Sequence, residues 1–517
     1  MSLQFSLNED GAWLLGGHLL HPSKDPLSAA RAGELGDLLD EAQPEDLLVL
    51  AGCGLGWHIQ AVLDAPHSPH LIVYEPDAAR IADMHKHGPW LPDLELATDE
   101  EGLAEALGRH LVYGQIKRVA LFSPPAYRQA LPEMVQAART LVDHTVARSK
   151  ADALTRSLKT GLWLEHLEKN IKWWPILPDV ALMDDILRGI PAIVIGAGPS
   201  LDQSLSDLAG ITARALVLAA ASALNPLAKV GTSPHIAFAL EAGDESRQFT
   251  DVDHSQTLLA TASTSHPNHF LNWTGPRSLF HLWPWPAALS GLGKALPCGG
   301  HVTSAAFSLA VLWGCDPIIL VGQDLAYTHG RIHAAGRPGG EDEVRPEIIE
   351  VPALDGGVAQ TSPVMLSYIL WYEEAASTLR KSQRRIINAT AAGAYLPGFE
   401  HKPLQEVLED LPPFSEDLKV VVEGVSRLPR PTASFLIQRM AQARFELQAA
   451  LERLEQEDLA AARSSVRKGS VAAVALEDIR SSENRDLAIA SLKRMIETLW
   501  NMRQELHTSI GFVQERD

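Results

Sequence analysis

The run Pro191-Ala192-Ile193-Val194-Ile195-Gly196-Ala197-Gly198-Pro199-Ser200-Leu201-Asp202 restricts the fold more than any other stretch. Ile193, Val194 and Ile195 form a short β-branched run that suits a strand buried in a parallel sheet. Gly196 and Gly198 permit a tight turn and leave no Cβ in the way of a ligand. Pro199 and Ser200 supply helix-start residues, with Ser200 or Asp202 as the expected N-cap. Strand, Gly turn and helix start make a βα unit whose backbone N–H groups face an anion, a phosphate in the first instance. The stretch is not a Walker A loop, because no Gly-Lys-Ser/Thr follows, and it lacks the third Gly of a dinucleotide fingerprint. An ordinary βα turn uses the same residues without any ligand.

Further βα signals flank this one. Toward the N-terminus, Leu47 to Leu50 reads as a strand, Gly52-Cys53-Gly54-Leu55-Gly56 as a turn, and the residues to about Leu63 as a helix. Leu71 to Tyr74 is a second strand closed by Glu75, the layout that grips an adenosine ribose. It resembles the first half of an S-adenosylmethionine-dependent methyltransferase, but no downstream methyltransferase motif follows, so a Rossmann-like domain without a cofactor site is the favoured reading. Leu94 to Ala97 and Arg118 to Phe122 extend that sheet. Ser149 to Lys172 is helical in pattern, and Trp173-Trp174-Pro175 ends it.

Beyond the central loop, Ala215 to Ala220, Ile236 to Leu240, Leu258 to Ala262, Pro317 to Val321 and Ile386 to Thr390 are strand candidates separated by helical stretches. That alternation gives a doubly wound parallel sheet, in which ligands sit beyond the carboxyl ends of the strands. Gly196, Ser222, Glu241 and Asp244 therefore fall on the ligand side. Thr303 and Ser304 open a small-residue helix and serve as donor-rich caps for an anion or carboxylate. The strand at Val321 runs into Gly322-Gln323-Asp324-Leu325-Ala326-Tyr327-Thr328. The Gly-rich segment Gly330 to Gly339, which carries His333 just after His329, looks like an active-site edge with a lid. After Pro412-Pro413, two long helical patterns follow, Phe435 to Leu459 and Leu487 to Leu506. The expected architecture is α/β. A Rossmann-like domain spans 1–148, a bridging helix 149–185, a central doubly wound domain 186–410 and an all-helical domain 411–517.

With 517 residues, two to four domains are expected. A formal net charge of −20 argues against nucleic acid or an anionic membrane as the main partner. Cys53, Cys298 and Cys315 match neither a disulfide framework nor a zinc site. No signal-peptide pattern and no bilayer-length apolar run is present, so a soluble cytoplasmic protein without membrane insertion is expected.

The words Val194-Ile195-Gly196-Ala197-Gly198-Pro199-Ser200-Leu201-Asp202, Val321-Gly322-Gln323-Asp324-Leu325-Ala326-Tyr327-Thr328 with His333-Ala334, and Ile387-Asn388-Ala389-Thr390 resemble the motility-associated factor (Maf) flagellin glycosyltransferases in order and spacing. The central domain also looks like bacterial sialyltransferases that use CMP-sialic acid. The resemblance implies transfer of a nonulosonic acid, such as pseudaminic or legionaminic acid, from a CMP-activated donor to Ser or Thr of flagellin. It places the donor on Gly196, Ala197, Gly198, Pro199, Ser200, Leu201, Ser222, Glu241, Thr303, Ser304, Gln323 and Asn388. His333 is the first choice of base and Asp324 the second, and Tyr327 a donor to the departing phosphate. No metal ligands and no required cofactor are expected; stimulation by Mg²⁺ or Mn²⁺ is left open. The family commonly carries Pro-Asp and a later Asp around the third strand, where this chain has Pro234-His235 and Glu241. The competing classes are a pyrophosphokinase related to the archaeal pterin enzymes, a non-enzymatic flagellin-binding accessory protein, and a methyltransferase acting through Gly52 to Glu75.

Overall fold

The computed structural model describes residues 4–22, 24–111, 116–335, 348–380, 382–411, 418–456, 459–478 and 485–514. The chain divides into two compact units, Met1–Leu154 and Thr155–Asp517.

The first unit is built on a four-stranded parallel sheet of β1 (Asp46–Ala51), β2 (His70–Tyr74), β3 (Leu96–Ala97) and β4 (Arg118–Phe122), in the order β3-β2-β1-β4. Leu47 to Ala51 are buried, as a continuous apolar run between two helical layers requires. Gly52, Gly54 and Gly56 all take positive φ, so the turn into α1 (Trp57–Leu63) needs glycine. A small antiparallel meander over residues 5–21 packs on this turn through Leu15 and Leu20. The helix expected from Ser149 begins earlier: α2 runs from Pro132 to Asn170, and a 3₁₀ turn over Ile171–Trp173 follows.

The second unit holds an eight-stranded sheet, parallel throughout. Its strands are β5 (Ala192–Ile195), β6 (Leu216–Ala220), β7 (Ile236–Ala239), β8 (Leu258–Ala262), β9 (Arg277–Phe280), β10 (Ile318–Val321), β11 (Ile386–Asn388) and β12 (Glu400–His401). The spatial order is β9-β8-β7-β6-β5-β10-β11-β12. From β5 the chain winds outward to β9, then returns to lay β10 on the other side of β5. The carboxyl ends of β5 and β10 therefore flank a topological switch point, where doubly wound sheets hold ligands. The strand β9 lies outside the expected set; it is only four residues long, opens on Arg277-Ser278 and follows Gly275-Pro276, all of which read as punctuation.

On one face, Ile193, Ile195, Val217, Ala219, Ile319, Val321 and Ile387 share an apolar core with Leu404 and Val407. Each buried Ile, Leu or Val side chain among these contributes about 1.5–3 kcal/mol. After β5 the chain forms only one turn of helix, α3 (Leu201–Ser204), whereas α4 (Val302–Leu312) and α5 (Pro363–Arg380) are full helices. Toward the C-terminus α6 (Ala433–Gln456) and α7 (Arg485–Gln514) pack on each other. Their Leu436, Met440, Leu447, Leu451, Leu492, Leu499 and Met502 join one core with Leu167, Ile171, Phe270, Leu279 and Trp285. The helical segment thus shares its core with the β9 edge of the sheet. Residues 412–417, where the composition shift at Pro412-Pro413 falls, are outside the described residues.

Candidate functional site

The Gly loop after β5 is closed upon the protein itself. Gly196 N–H donates to the Val321 carbonyl at 2.8 Å, Gly198 N–H to Gly322 at 2.9 Å and Leu201 N–H to Gly198 at 3.0 Å. Ser200 gives its N–H to Asp324 Oδ2 at 3.0 Å and its hydroxyl to Asp324 Oδ1 at 2.6 Å. Pro199 has no N–H to give. The expectation of a free N–H cradle for phosphate over Gly198 to Leu201 is therefore corrected: the anion at this helix start is the Asp324 carboxylate. The clearances agree. A Cβ on Gly198 would stand 2.2 Å from Asp324 Oδ1, and one on Gly196 2.2 Å from Gln323 Nε2. Both glycines make room for side chains of this chain rather than for a ligand.

Asp324 is only 2% exposed, and burial pushes its pKa up while the bonds from Ser200 pull it down. With both oxygens engaged by Ser200, it clamps the loop, which corrects its candidacy as the second choice of base. Ser200 starts α3 without a side-chain cap bond, and Asp202 does not cap it either. Asp202 instead receives Arg331 through Nη1 and Nη2, each at 3.2 Å, and the Ala335 N–H at 3.0 Å. The expected lid is anchored there at its start; residues 336–339 of it lie outside the described residues.

A second network sits beside the clamp. Gln323 and Asn388 follow from adjacent strands, β10 and β11, and are 4% and 1% exposed. Thr303 Oγ1 donates to Gln323 Oε1 at 2.8 Å, and the Tyr372 hydroxyl donates to Thr303 Oγ1 at 3.3 Å. Gln323 N–H reaches Thr390 Oγ1 at 3.0 Å, and Thr390 N–H reaches Asn388 Oδ1 at 3.1 Å. Both amide oxygens are thereby occupied, while Gln323 Nε2 and Asn388 Nδ2 are buried without an acceptor. Both open amide donors stand at the switch point, and an unmatched buried polar group costs about 1–3 kcal/mol.

Thr303 and Ser304 do not cap α4. His301 is the N-cap residue, in extended conformation, and it stacks on Tyr368 with ring centroids 4.3 Å apart. Ser304 Oγ turns back to the His301 carbonyl at 2.6 Å and accepts the Gly299 N–H at 2.9 Å. Neither hydroxyl stands free for an anion as expected. His301 and Tyr372 escaped sequence reasoning. The Gly299-Gly300 pair before His301 was the available signal, because Gly299 is where the Trp371 ring packs against the backbone.

The remaining candidates distribute as follows. Ser222, in the turn after β6, and Glu241, just past β7, are half-buried on the carboxyl side of the sheet. Asp244 is raised by burial, but bonds from Ser246 and Asn268 outweigh this and hold it down to about 2. Tyr327 is half-buried, and its N–H joins Gln360 of the hairpin Ile349–Pro352/Val358–Thr361 at 2.8 Å. His333 is half-buried, and the neighbouring Ala334 N–H binds the Ala197 carbonyl at 2.8 Å, which brings this segment onto the Gly loop. His235 is not at the ligand end at all: it precedes β7, is buried, and its Nδ1 accepts the Val217 N–H at 3.0 Å.

In the first unit the Gly52 turn is filled from within. Glu75 is fully buried and accepts from the Tyr127 hydroxyl at 2.6 Å and from Asp77 N–H at 3.1 Å. It also pairs with Arg80 at 2.8 Å. The Tyr127 ring occupies the space over Gly52, where a Cβ would meet it at 2.5 Å, and its hydroxyl accepts the Gly54 N–H at 3.2 Å. The carboxylate that would hold a ribose is spent on the protein, which argues against the methyltransferase reading.

A wholly parallel doubly wound sheet with a buried polar network at its switch point defines the class of this protein, and comparison with known proteins narrows it. The model of a family described as 6-hydroxymethylpterin diphosphokinase MptE-like matches residues 165–330. No curated protein matches. Among solved structures, a MAf glycosyltransferase from Magnetospirillum magneticum AMB-1 superposes with a TM-score of 0.54 at 15% identity, covering 99% of this chain and 91% of that one. The Maf resemblance is borne out as a shared fold along nearly the whole chain. Among the described residues, no group of three or more His, Cys, Asp or Glu is arranged to hold a metal ion, and no helix is long and apolar enough to cross a membrane.

Proposed function

We propose that this chain is a cytoplasmic glycosyltransferase that moves a nonulosonic acid, such as pseudaminic or legionaminic acid, from a CMP-activated donor to Ser or Thr hydroxyls of flagellin, in support of flagellum assembly and motility. The observation that carries the reading is the pair of open donors, Gln323 Nε2 and Asn388 Nδ2, at the switch point of the sheet. Phosphate or carboxylate oxygens of such a donor would complete them. The fold shared with a MAf glycosyltransferase supports the reaction class.

In this reaction the acceptor oxygen forms a bond to the anomeric carbon as the bond from that carbon to the phosphate oxygen breaks. CMP leaves with the electron pair, and the acceptor's proton passes to His333. An imidazole titrates near neutral pH, which suits it to this step. Tyr327 donates to the departing phosphate, and Ser222 and Glu241 border the donor from β6 and β7. The clamp of Asp324 on Ser200 holds the loop that supports His333. The reaction needs no resident cofactor, and any effect of Mg²⁺ or Mn²⁺ is expected to be stimulation rather than a requirement.

The family match over residues 165–330 favours one second reading, a pyrophosphokinase that takes ATP–Mg²⁺. Thermal unfolding in CMP, ATP–Mg²⁺ and S-adenosylmethionine separates the readings, because a ligand at 100 times its Kd stabilises by about 2.7 kcal/mol. A rise with CMP, lost in Gln323→Glu, is expected. A rise with ATP–Mg²⁺ alone would move the protein to the kinase class, and a rise with none of them would point to a flagellin-binding accessory protein.

A further inference from the structure

A carboxamide can turn over and exchange its oxygen for its nitrogen at small cost, so a buried Gln presents a donor or an acceptor according to what holds its other end. At Gln323 that choice is made by two hydroxyls. The Tyr372 hydroxyl donates to Thr303 Oγ1 at 3.3 Å, which leaves the Thr303 hydrogen for Gln323 Oε1 at 2.8 Å. The Gln323 oxygen is thus taken, and Nε2 lies at the Gly loop, 2.2 Å from where a Gly196 Cβ would stand, with no acceptor. The Tyr372 ring is fully buried and fixed by Phe307, Trp371 and Phe399, with centroids 5.2–5.8 Å away. Burial also pushes the Tyr372 pKa up, so its hydroxyl keeps its proton. Asn388 is oriented separately, by the Thr390 N–H.

We infer that Tyr372 and Thr303 are positioning residues that fix the Gln323 amide as a hydrogen-bond donor, so that a ligand meeting Nε2 is selected by an acceptor oxygen. Thr303 passes from a ligand-binding role to a supporting one. The ligand expected at Gln323 rests on the function proposed above; the orientation of the amide does not. With the amide turned over, Gln323 Oε1 would face the loop and an oxyanion would meet repulsion instead of an N–H.

Two readouts on the full chain test this. In protein labelled with ¹⁵N in glutamine side chains, and with the Gln323 signal assigned by its loss in Gln323→Glu, wild type should give one amide pair. That pair should shift or double in Thr303→Val and in Tyr372→Phe, and return in Thr303→Ser. An unchanged pair in both Thr303→Val and Tyr372→Phe would overturn the proposal. Titration with CMP should show binding weakened about fivefold or more in Thr303→Val, with Thr303→Ser within about twofold of wild type, as the loss of one buried hydrogen bond implies. Wild type that binds no CMP while the amide signals respond would sink the nucleotide reading and leave the positioning intact. CMP binding equal in wild type and Thr303→Val, with unmoved amide signals, would do the reverse.

Discussion

Replacing Gly198 by Ala should cost about 2–5 kcal/mol of stability, although the backbone at this position is not in the left-handed region. The added Cβ would stand 2.2 Å from Asp324 Oδ1 and 2.7 Å from the Gly322 carbonyl oxygen. To restore ordinary contact, the carboxylate must retreat by more than an ångström, which breaks its bonds to Ser200 N–H at 3.0 Å and Ser200 Oγ at 2.6 Å. Hydrogen bonds to a charged group are each worth about 1.5–3 kcal/mol, so losing two removes roughly 3–6 kcal/mol. Against this, Ala in place of Gly restricts the unfolded chain and returns about 0.4–1 kcal/mol. Urea unfolding of Gly198→Ala, Asp324→Ala and the double variant supplies the test. Because Asp324→Ala removes one of the two clashing groups, the double variant should be more stable than additivity predicts by about 1 kcal/mol or more. A loss below about 1 kcal/mol for Gly198→Ala, or strict additivity, would refute the clamp and return the loop to a role in ligand clearance.

Three further outcomes follow from the same geometry. Asp179 is buried, its Oδ1 caps Ala181 N–H at 2.8 Å, and its Oδ2 faces His281 Nε2 at 3.9 Å; burial raises its pKa from 3.8 to about 7. The folded state then holds a proton that the unfolded state releases, so stability from this group is full below pH ~4 and lost as pH climbs to about 7, by up to roughly 4 kcal/mol. Asp179→Asn keeps the cap and removes the ionisation; chemical denaturation should find it more stable than wild type at pH 8, with the difference fading by pH 5. His281, held neutral by burial down to about 3, is present in both proteins. Glu75→Gln should destabilise the first unit by about 1–3 kcal/mol, seen by calorimetry, because it removes the buried carboxylate that faces Arg80 at 2.8 Å and leaves Asp77, at 3.4 Å, as the charge beside that guanidinium. His333→Ala should lower turnover at least about 100-fold with CMP affinity unchanged, and near-normal turnover would end its assignment as base.

Much of the sheet was legible because burial on both faces writes itself as continuous apolar runs. Ala192 to Ile195, Leu216 to Ala220 and Leu258 to Ala262 are of this kind, and each is a strand where expected. The short edge strand at Arg277–Phe280 was not, since it has only four residues and opens on the polar pair Arg277-Ser278. Site residues were legible as types and positions: Gln323, Asp324, Thr303 and Asn388 do gather at the carboxyl ends of the strands. Their roles were not, because a serine before a short helix looks the same whether it meets a phosphate or a carboxylate 124 residues away in the chain.

A doubly wound parallel sheet around a Gly turn could be read from the residue order, since local apolar runs, turn residues and strand spacing are properties of neighbouring residues. What each polar group at the turn does depends on contacts made across the folded chain. The Ser200–Asp324 clamp, the Tyr372–Thr303–Gln323 chain and the Tyr127 plug over Gly52 join residues far apart in sequence. A hydrogen bond is a statement about distance and angle in space, and the order of residues along the chain fixes neither until the sheet has brought β5, β10 and β11 together.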